Sequence, residues 1–105
     1  MNILIQKDPH NLTERISIAI DSMTTSEDSL KERLEYAAKD LMPLQTHEFP
    51  EIVQDDLEKW WAEITKVDRG LNGSLHDTLD TMNDEEIKEK IEDLNSILID
   101  TLKNI

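Results

Sequence analysis

The chain has 105 residues, of which 24 are acidic and 11 basic, giving a formal net charge of −13. That length suits one ordinary domain and is too short for two with separate cores. It contains no cysteine, which excludes a disulfide framework, a thiolate metal site and a cysteine nucleophile, and its basic residues are scattered singly among acids, which argues against phosphate binding through clustered Lys and Arg.

Apolar residues make up 37% of the chain, interrupted by only two glycines and three prolines. This is far richer in Ile and Leu than a disordered acidic tail, so the chain is expected to fold. The run Ile3-Leu4-Ile5 is much shorter than a signal-peptide core and no stretch approaches a membrane span, so a cytoplasmic protein without membrane attachment is expected.

Residues 1–10 read as an N-terminal extension. Asn11 and Glu14 then have the spacing of a capping box and predict a helix over 12–23, with Leu12, Ile16, Ala19 and Met23 on its apolar face. Ile16, Ile18 and Ile20 also alternate with period two, a strand signal, but the cap favours helix and leaves Ile18 on a second face. Thr24, Thr25 and Ser26 form a polar break, with Glu27 and Asp28 placed where a helix N-terminus favours negative charge. A second helix to about Met42 carries Leu30, Leu34, Ala37, Ala38 and Leu41, and Pro43 stops it.

After a loop over 43–49, Pro50 is placed to open a third helix at its first position. Val53, Leu57, Trp60, Ile64 and Val67 step by four, three, four and three, and Gly70 marks the expected end. Residues 71–82 hold turn formers and one short helical piece, with Ser74 as its cap and Leu75, Leu79 and Met82 on one side. Asn83 with Glu86 repeats the capping-box spacing and starts a helix of about 20 residues, roughly 30 Å long, whose stripe is Ile87, Ile91, Leu94, Leu98, Leu102 and Ile105. Each helix has one apolar face that the others must cover. The expected fold is therefore all-α, a single antiparallel helical bundle of about four helices with a short extra helix in the third connection.

The sequence offers little chemistry. A carboxylate-bridged metal in a bundle core needs Glu-x-x-His pairs, but Lys7, Leu44 and Gly73 precede His10, His47 and His76 by three residues. The one compact ligand set, His76, Asp77 and Asp80, is better read as a solvated turn in a chain this acidic. The segment Glu85, Glu86, Glu89, Glu92 and Asp93 resembles one half of the Mg²⁺ site of all-helical nucleotide pyrophosphohydrolases. All five, however, lie off the apolar stripe and point to water, while the candidate second half, Glu48 and Glu51, straddles Pro50. No glycine-rich loop or strand-turn-helix elbow exists to hold phosphate or present a nucleophile. No enzyme, no cofactor and no metal is expected. Lys31 with Glu35 and Glu86 with Lys90 read as i,i+4 pairs within helices.

The adjacent tryptophans are the best local signal. Trp60 sits on the core stripe, and Trp61, rotated by about 100°, lies at its edge. Trp61 ringed by Asp55, Asp56, Glu58 and Glu63 reads as a partner-binding anchor with an acidic rim, since tryptophan is enriched among interface hot spots; its alternative role is to seal the core against Phe49. Net charge runs from −1 over residues 1–25 to −3 over 26–50, −5 over 51–82 and −4 over 83–105. The expectation is a non-enzymatic acidic module that engages a basic protein such as a nuclease, in the manner of inhibitors, immunity proteins or nucleic-acid mimics, without binding nucleic acid itself. The alternative is a structural or regulatory subunit, including a homodimer, joined through the peripheral apolar residues Ile18, Trp61, Ile97 and Ile99.

Overall fold

The computed structural model describes residues 9–24, 29–68, 70 and 73–105. Among these the chain forms five α-helices and one 3-10 turn: α1 (Pro9–Thr24), α2 (Leu30–Leu41), the turn Thr46–Glu48, α3 (Glu51–Ile64), α4 (Ser74–Asp80) and α5 (Asp84–Lys103). The fold is an all-α bundle of four longer helices, with the short α4 in the connection between α3 and α5. The expected extension lies outside the described residues up to position 8, as does the break at residues 25–28.

Local chemistry sets the helix boundaries. α1 starts at Pro9, two residues ahead of the expected Asn11 cap; a proline lacks the N–H that the first turn leaves unpaired and already has a helical φ. Residues 12–23 are helical, which places Ile18 on the exposed face and Ile20 at the edge of the core. α2 is capped by Ser29, whose side chain accepts from the Glu32 N–H while Glu32 reaches back to the Ser29 N–H, a reciprocal box. Pro50 precedes the first helical residue of α3 by one position, and its carbonyl accepts the Val53 N–H at 3.0 Å. α5 starts from the expected box, with Asn83 and Glu86 each accepting the other's backbone N–H at 2.9 and 3.0 Å.

Two boundaries differ from the sequence reading. α3 ends at Ile64, well short of Gly70, because Val67 is held outside the helix. Thr78 Oγ1 accepts the Val67 N–H at 2.9 Å and donates to the Val67 carbonyl at 3.3 Å, while Thr65 Oγ1 bonds back to the Trp61 carbonyl at 2.6 Å. One buried hydroxyl thus satisfies both backbone groups of Val67 in place of another helical turn. α4 is preceded by Gly73 rather than capped by Ser74; Gly73 has φ +94°, a conformation that disfavours side chains, and its carbonyl accepts the Asp77 N–H. Met82 falls beyond α4 and is half-buried.

The core collects Leu12, Ile16, Ala19 and Met23 from α1, Leu34, Ala37, Ala38 and Leu41 from α2, Val53, Leu57, Trp60 and Ile64 from α3, Leu75 and Leu79 from α4, and Ile87, Leu94, Ile97 and Leu98 from α5. The α1 set is the expected stripe in full, and the α2, α3 and α4 sets are the expected stripes without Leu30, Val67 and Met82, which are half-buried. A change of residues, rather than a loss at the margin, occurs at the end of α5, where Leu102 and Ile105 are 40% and 53% exposed and Ile97 and Thr101 are buried instead. Thr101 enters the core because its hydroxyl donates to the Ile97 carbonyl at 2.8 Å.

Helix directions follow from the cross-links. Glu63 meets Lys90 while Asp56 and Asp100 share one cleft, so α3 and α5 run antiparallel. Lys31 pairs with Asp80 and Glu35 with His76, so α2 and α4 do the same. The C-terminal ends of α1 and α2 meet where the Ser22 hydroxyl donates to Asp40 at 2.7 Å.

The Val67 clamp is testable. Thr78→Val keeps the buried volume but leaves both backbone groups of Val67 without a partner, and is expected to cost about 1–3 kcal/mol in chemical denaturation. Hydrogen exchange at the Val67 amide should accelerate more than at the centres of α3 and α5. A neutral substitution with unchanged exchange would show that the hydroxyl does not hold this connection.

Candidate functional site

Trp60 is buried and its Nε1–H donates to the Lys90 carbonyl at 2.9 Å. Trp61 is half-buried at the core's edge, and the two ring centroids lie 5.2 Å apart with the planes at 73°, an edge-to-face contact. One ring is therefore inside and one reaches the surface, as the four-three spacing predicts. Trp61 both packs on the core and lines a groove.

The acidic residues assigned to a single ring around Trp61 separate onto different sides of α3. Glu58 stays with Trp61. Together with Gln54 they form one wall of an open groove of about 730 Å³, whose other wall is Leu44, Gln45, Thr46 and His47 from the 3-10 turn and the residues before it. That turn is fixed by the Gln45 N–H donating to Glu48 Oε2 at 2.7 Å and by Gln54 Nε2 donating to the Phe49 carbonyl at 2.9 Å. Asp56 and Glu63 face the other way, into a cleft of about 310 Å³ between α3 and α5, which they share with Lys59, Trp60, Asp93, Ser96, Ile97 and Asp100. Asp55 is exposed and lines neither. The rotation per residue that separates Trp60 from Trp61 also separates the acids.

The α3/α5 cleft is the more strongly charged of the two. Asp56 and Glu63 are seven residues apart on α3, and Asp93 and Asp100 seven apart on α5, each pair spanning roughly 10 Å. Lys90 bonds Glu63 and lies 3.8 Å from Asp93, compensating one end. The bonded ammonium holds the Glu63 carboxyl below its ordinary value. Beyond that end the surface continues between Lys66, Met82, Glu86, Glu89 and Lys90. At the other end Asp56 and Asp100 have Lys59 as the nearby cation lining the cleft. Ser96 and Asp100 are not among the sequence candidates, and Asp93 is one only as part of the acidic segment at the start of the last helix; the signal for the cleft is the two-turn spacing of Asp93 and Asp100 off the apolar stripe.

The remaining sequence candidates lie mostly in helix-bridging pairs or on exposed faces. His76 bridges two helices, with Nδ1 3.2 Å from Glu35 Oε1 on α2 and Nε2 3.6 Å from Asp80 Oδ2 on its own helix. Asp77 is buried. Lys31 pairs with Asp80 rather than Glu35, and Glu35 with Lys39 at 3.0 Å; Lys90 pairs with Glu63 rather than Glu86, which caps α5. Glu85, Glu86, Glu89, Glu92 and Asp93 are all exposed, and among the described residues no group of three His, Asp or Glu could hold a metal ion. No helix of the described residues is long and apolar enough to cross a membrane. No family model, curated protein or solved structure matches this chain, so the geometry alone carries the functional reading.

The Glu35 bridge gives a pH-dependent prediction. Burial raises the Glu35 carboxyl, but hydrogen bonds and charge from Lys39 and His76 outweigh that, leaving it below its ordinary 4.5. A carboxyl depressed in the folded state stabilises the fold above its unfolded value, and the contribution disappears as pH falls through the folded one. The melting difference between the native chain and Glu35→Gln should therefore be present above the ordinary 4.5 and shrink as pH falls below it. A difference independent of pH would contradict the bridge.

Proposed function

We propose that this chain is a non-enzymatic, cytoplasmic binding module that presents an acidic surface to a basic protein, of the inhibitor, immunity or anti-defence type, and that a nucleic-acid enzyme is the partner whose chemistry fits. The observation that carries this reading is the α3/α5 cleft, where Asp56, Glu63, Asp93 and Asp100 line both walls. Asp55, Asp56 and Glu58 make no ion pair among the described residues. A field of this kind accelerates encounter with a positive groove, rejects nucleic acid itself and weakens with salt.

Capture from the native host at low and high ionic strength, followed by titration of the recovered protein, tests the reading. The expected partner is basic and is released by high salt. Asp56→Asn, Asp93→Asn and Asp100→Asn combined should weaken it about tenfold, equivalent to about 1.4 kcal/mol, with the melting temperature unchanged or raised. A partner that is acidic, or indifferent both to salt and to the triple substitution, would exclude this surface.

A second reading, a structural or regulatory subunit joined through apolar faces, is supported by the end of α5, where Ile99, Leu102 and Ile105 are 42%, 40% and 53% exposed. Ile97, expected at such an interface, belongs to the core instead; Ile18 is exposed on α1. Light scattering at high micromolar concentration separates the two readings. The acidic-module reading expects a monomer, whereas a dimer insensitive to salt and broken by Ile99→Asp would favour the second.

A further inference from the structure

The groove beside Trp61 differs in kind from the α3/α5 cleft. It is open, with apolar surface from Leu44 and the indole, polar side chains along the 3-10 turn, and a single carboxylate, Glu58. That carboxylate makes no ion pair, and the Trp61 Nε1–H no hydrogen bond, among the described residues. Neighbouring groups of the same types are already committed: the Trp60 N–H to the Lys90 carbonyl, and Glu63 to Lys90. Glu58 and Trp61 are three residues apart on one helix, so their Cβ atoms lie about 5–6 Å from each other on the same side.

We infer that this groove receives an arginine side chain of the partner, with the guanidinium stacked on the Trp61 indole and paired with the Glu58 carboxylate. The inference rests on the reading of the partner as basic and names the residue that docks here. An indole face attracts a cation within about 6 Å of its centroid, and a carboxylate at the ring's edge lets one planar group satisfy both. Arginine matches better than lysine, because its flat, weakly hydrated guanidinium stacks while its N–H fork meets the carboxylate two-pronged. Its aliphatic stem also covers Leu44 and the indole edge. A purely apolar side chain fits poorly, since it would strip water from Glu58 and return no hydrogen bond. An anion would meet Glu58 and the net charge of the whole molecule.

Titration of the ¹⁵N-labelled full chain with two synthetic twelve-residue peptides, one carrying four arginines and the other four lysines in the same places, tests this by NMR. The arginine peptide should shift the Trp61 indole N–H and the Gln54 and Glu58 amides while the Trp60 indole stays in place, and the lysine peptide should bind several-fold more weakly there. Glu58→Gln and Trp61→Leu should each weaken the arginine peptide by about three- to tenfold. Glu58 is exposed, so its substitution leaves the fold intact and keeps the test valid if Trp61→Leu does not fold. Shifts confined to residues of the α3/α5 cleft, indifferent to both substitutions, would overturn the arginine groove and leave the acidic module standing. Equal response to the lysine peptide would overturn the choice of arginine. No shift in either groove would overturn the groove and count against the acidic-module reading on which it rests.

Discussion

The indole of Trp60 is the joint on which the arrangement of α3 and α5 depends. Its ring occupies the core stripe of α3, and its N–H reaches the carbonyl of Lys90 on α5 at 2.9 Å. A backbone carbonyl has two lone pairs, so that oxygen can accept the indole and still take part in its own helical ladder. A buried tryptophan needs such a partner, and the need fixes both the axial register of the two helices and the rotation of α3 about its axis. Once that rotation is set, Trp61 must emerge at the edge of the core, with Glu58 beside it, and Asp56 and Glu63 must turn toward α5. The position of each candidate binding residue follows from one ring and one hydrogen bond.

Most of the fold was legible because most of the burial obeys helical spacing. The steps of three and four in α1, α2 and α3 picked out core residues that the structure confirms, and the box of Asn83 and Glu86 placed the start of α5. What was not legible has specific causes. The end of α3 depends on Thr78, eleven residues away from the Val67 it clamps. The final stripe was misread because Leu102 and Ile105 look apolar and Thr101 looks polar. The buried positions Ile87, Leu94 and Thr101 recur every seven residues, a period slightly short of two 3.6-residue turns. A threonine fits that register because its hydroxyl returns to the helix's own backbone, which composition does not reveal.

Charge was legible in amount but not in pairing. With 11 basic side chains against 24 acids, each cation has several partners within reach, and local spacing favoured Glu35 for Lys31 and Glu86 for Lys90. The structure instead uses these lysines across helices, Lys31 from α2 to Asp80 near the end of α4 and Lys90 from α5 to Glu63 on α3. Exposed pairs of this type add little stability individually. Their effect is on where negative charge remains. With cations drawn to the His76 bridge and to the Glu63 end of the cleft, Asp55, Asp56, Glu58 and Asp100 make no ion pair among the described residues.

Both grooves border α3, which constrains what a partner could do with them. At about 100° per residue, Asp56 and Glu63 lie roughly 80° to one side of the helix's core direction, and Gln54, Glu58 and Trp61 roughly 70–130° to the other. The outer face between them carries Asp55 and the small, exposed Ala62. A partner that used only one groove would feel the field of the whole molecule but would fix its orientation poorly, because diffuse attraction gives rate more than register. A partner that straddled α3 would place one basic element in the α3/α5 cleft and another against Trp61, with Ala62 allowing close approach over the crest. Under the proposed function, the division of the acids into two sets is what would give an otherwise diffuse acidic surface a direction.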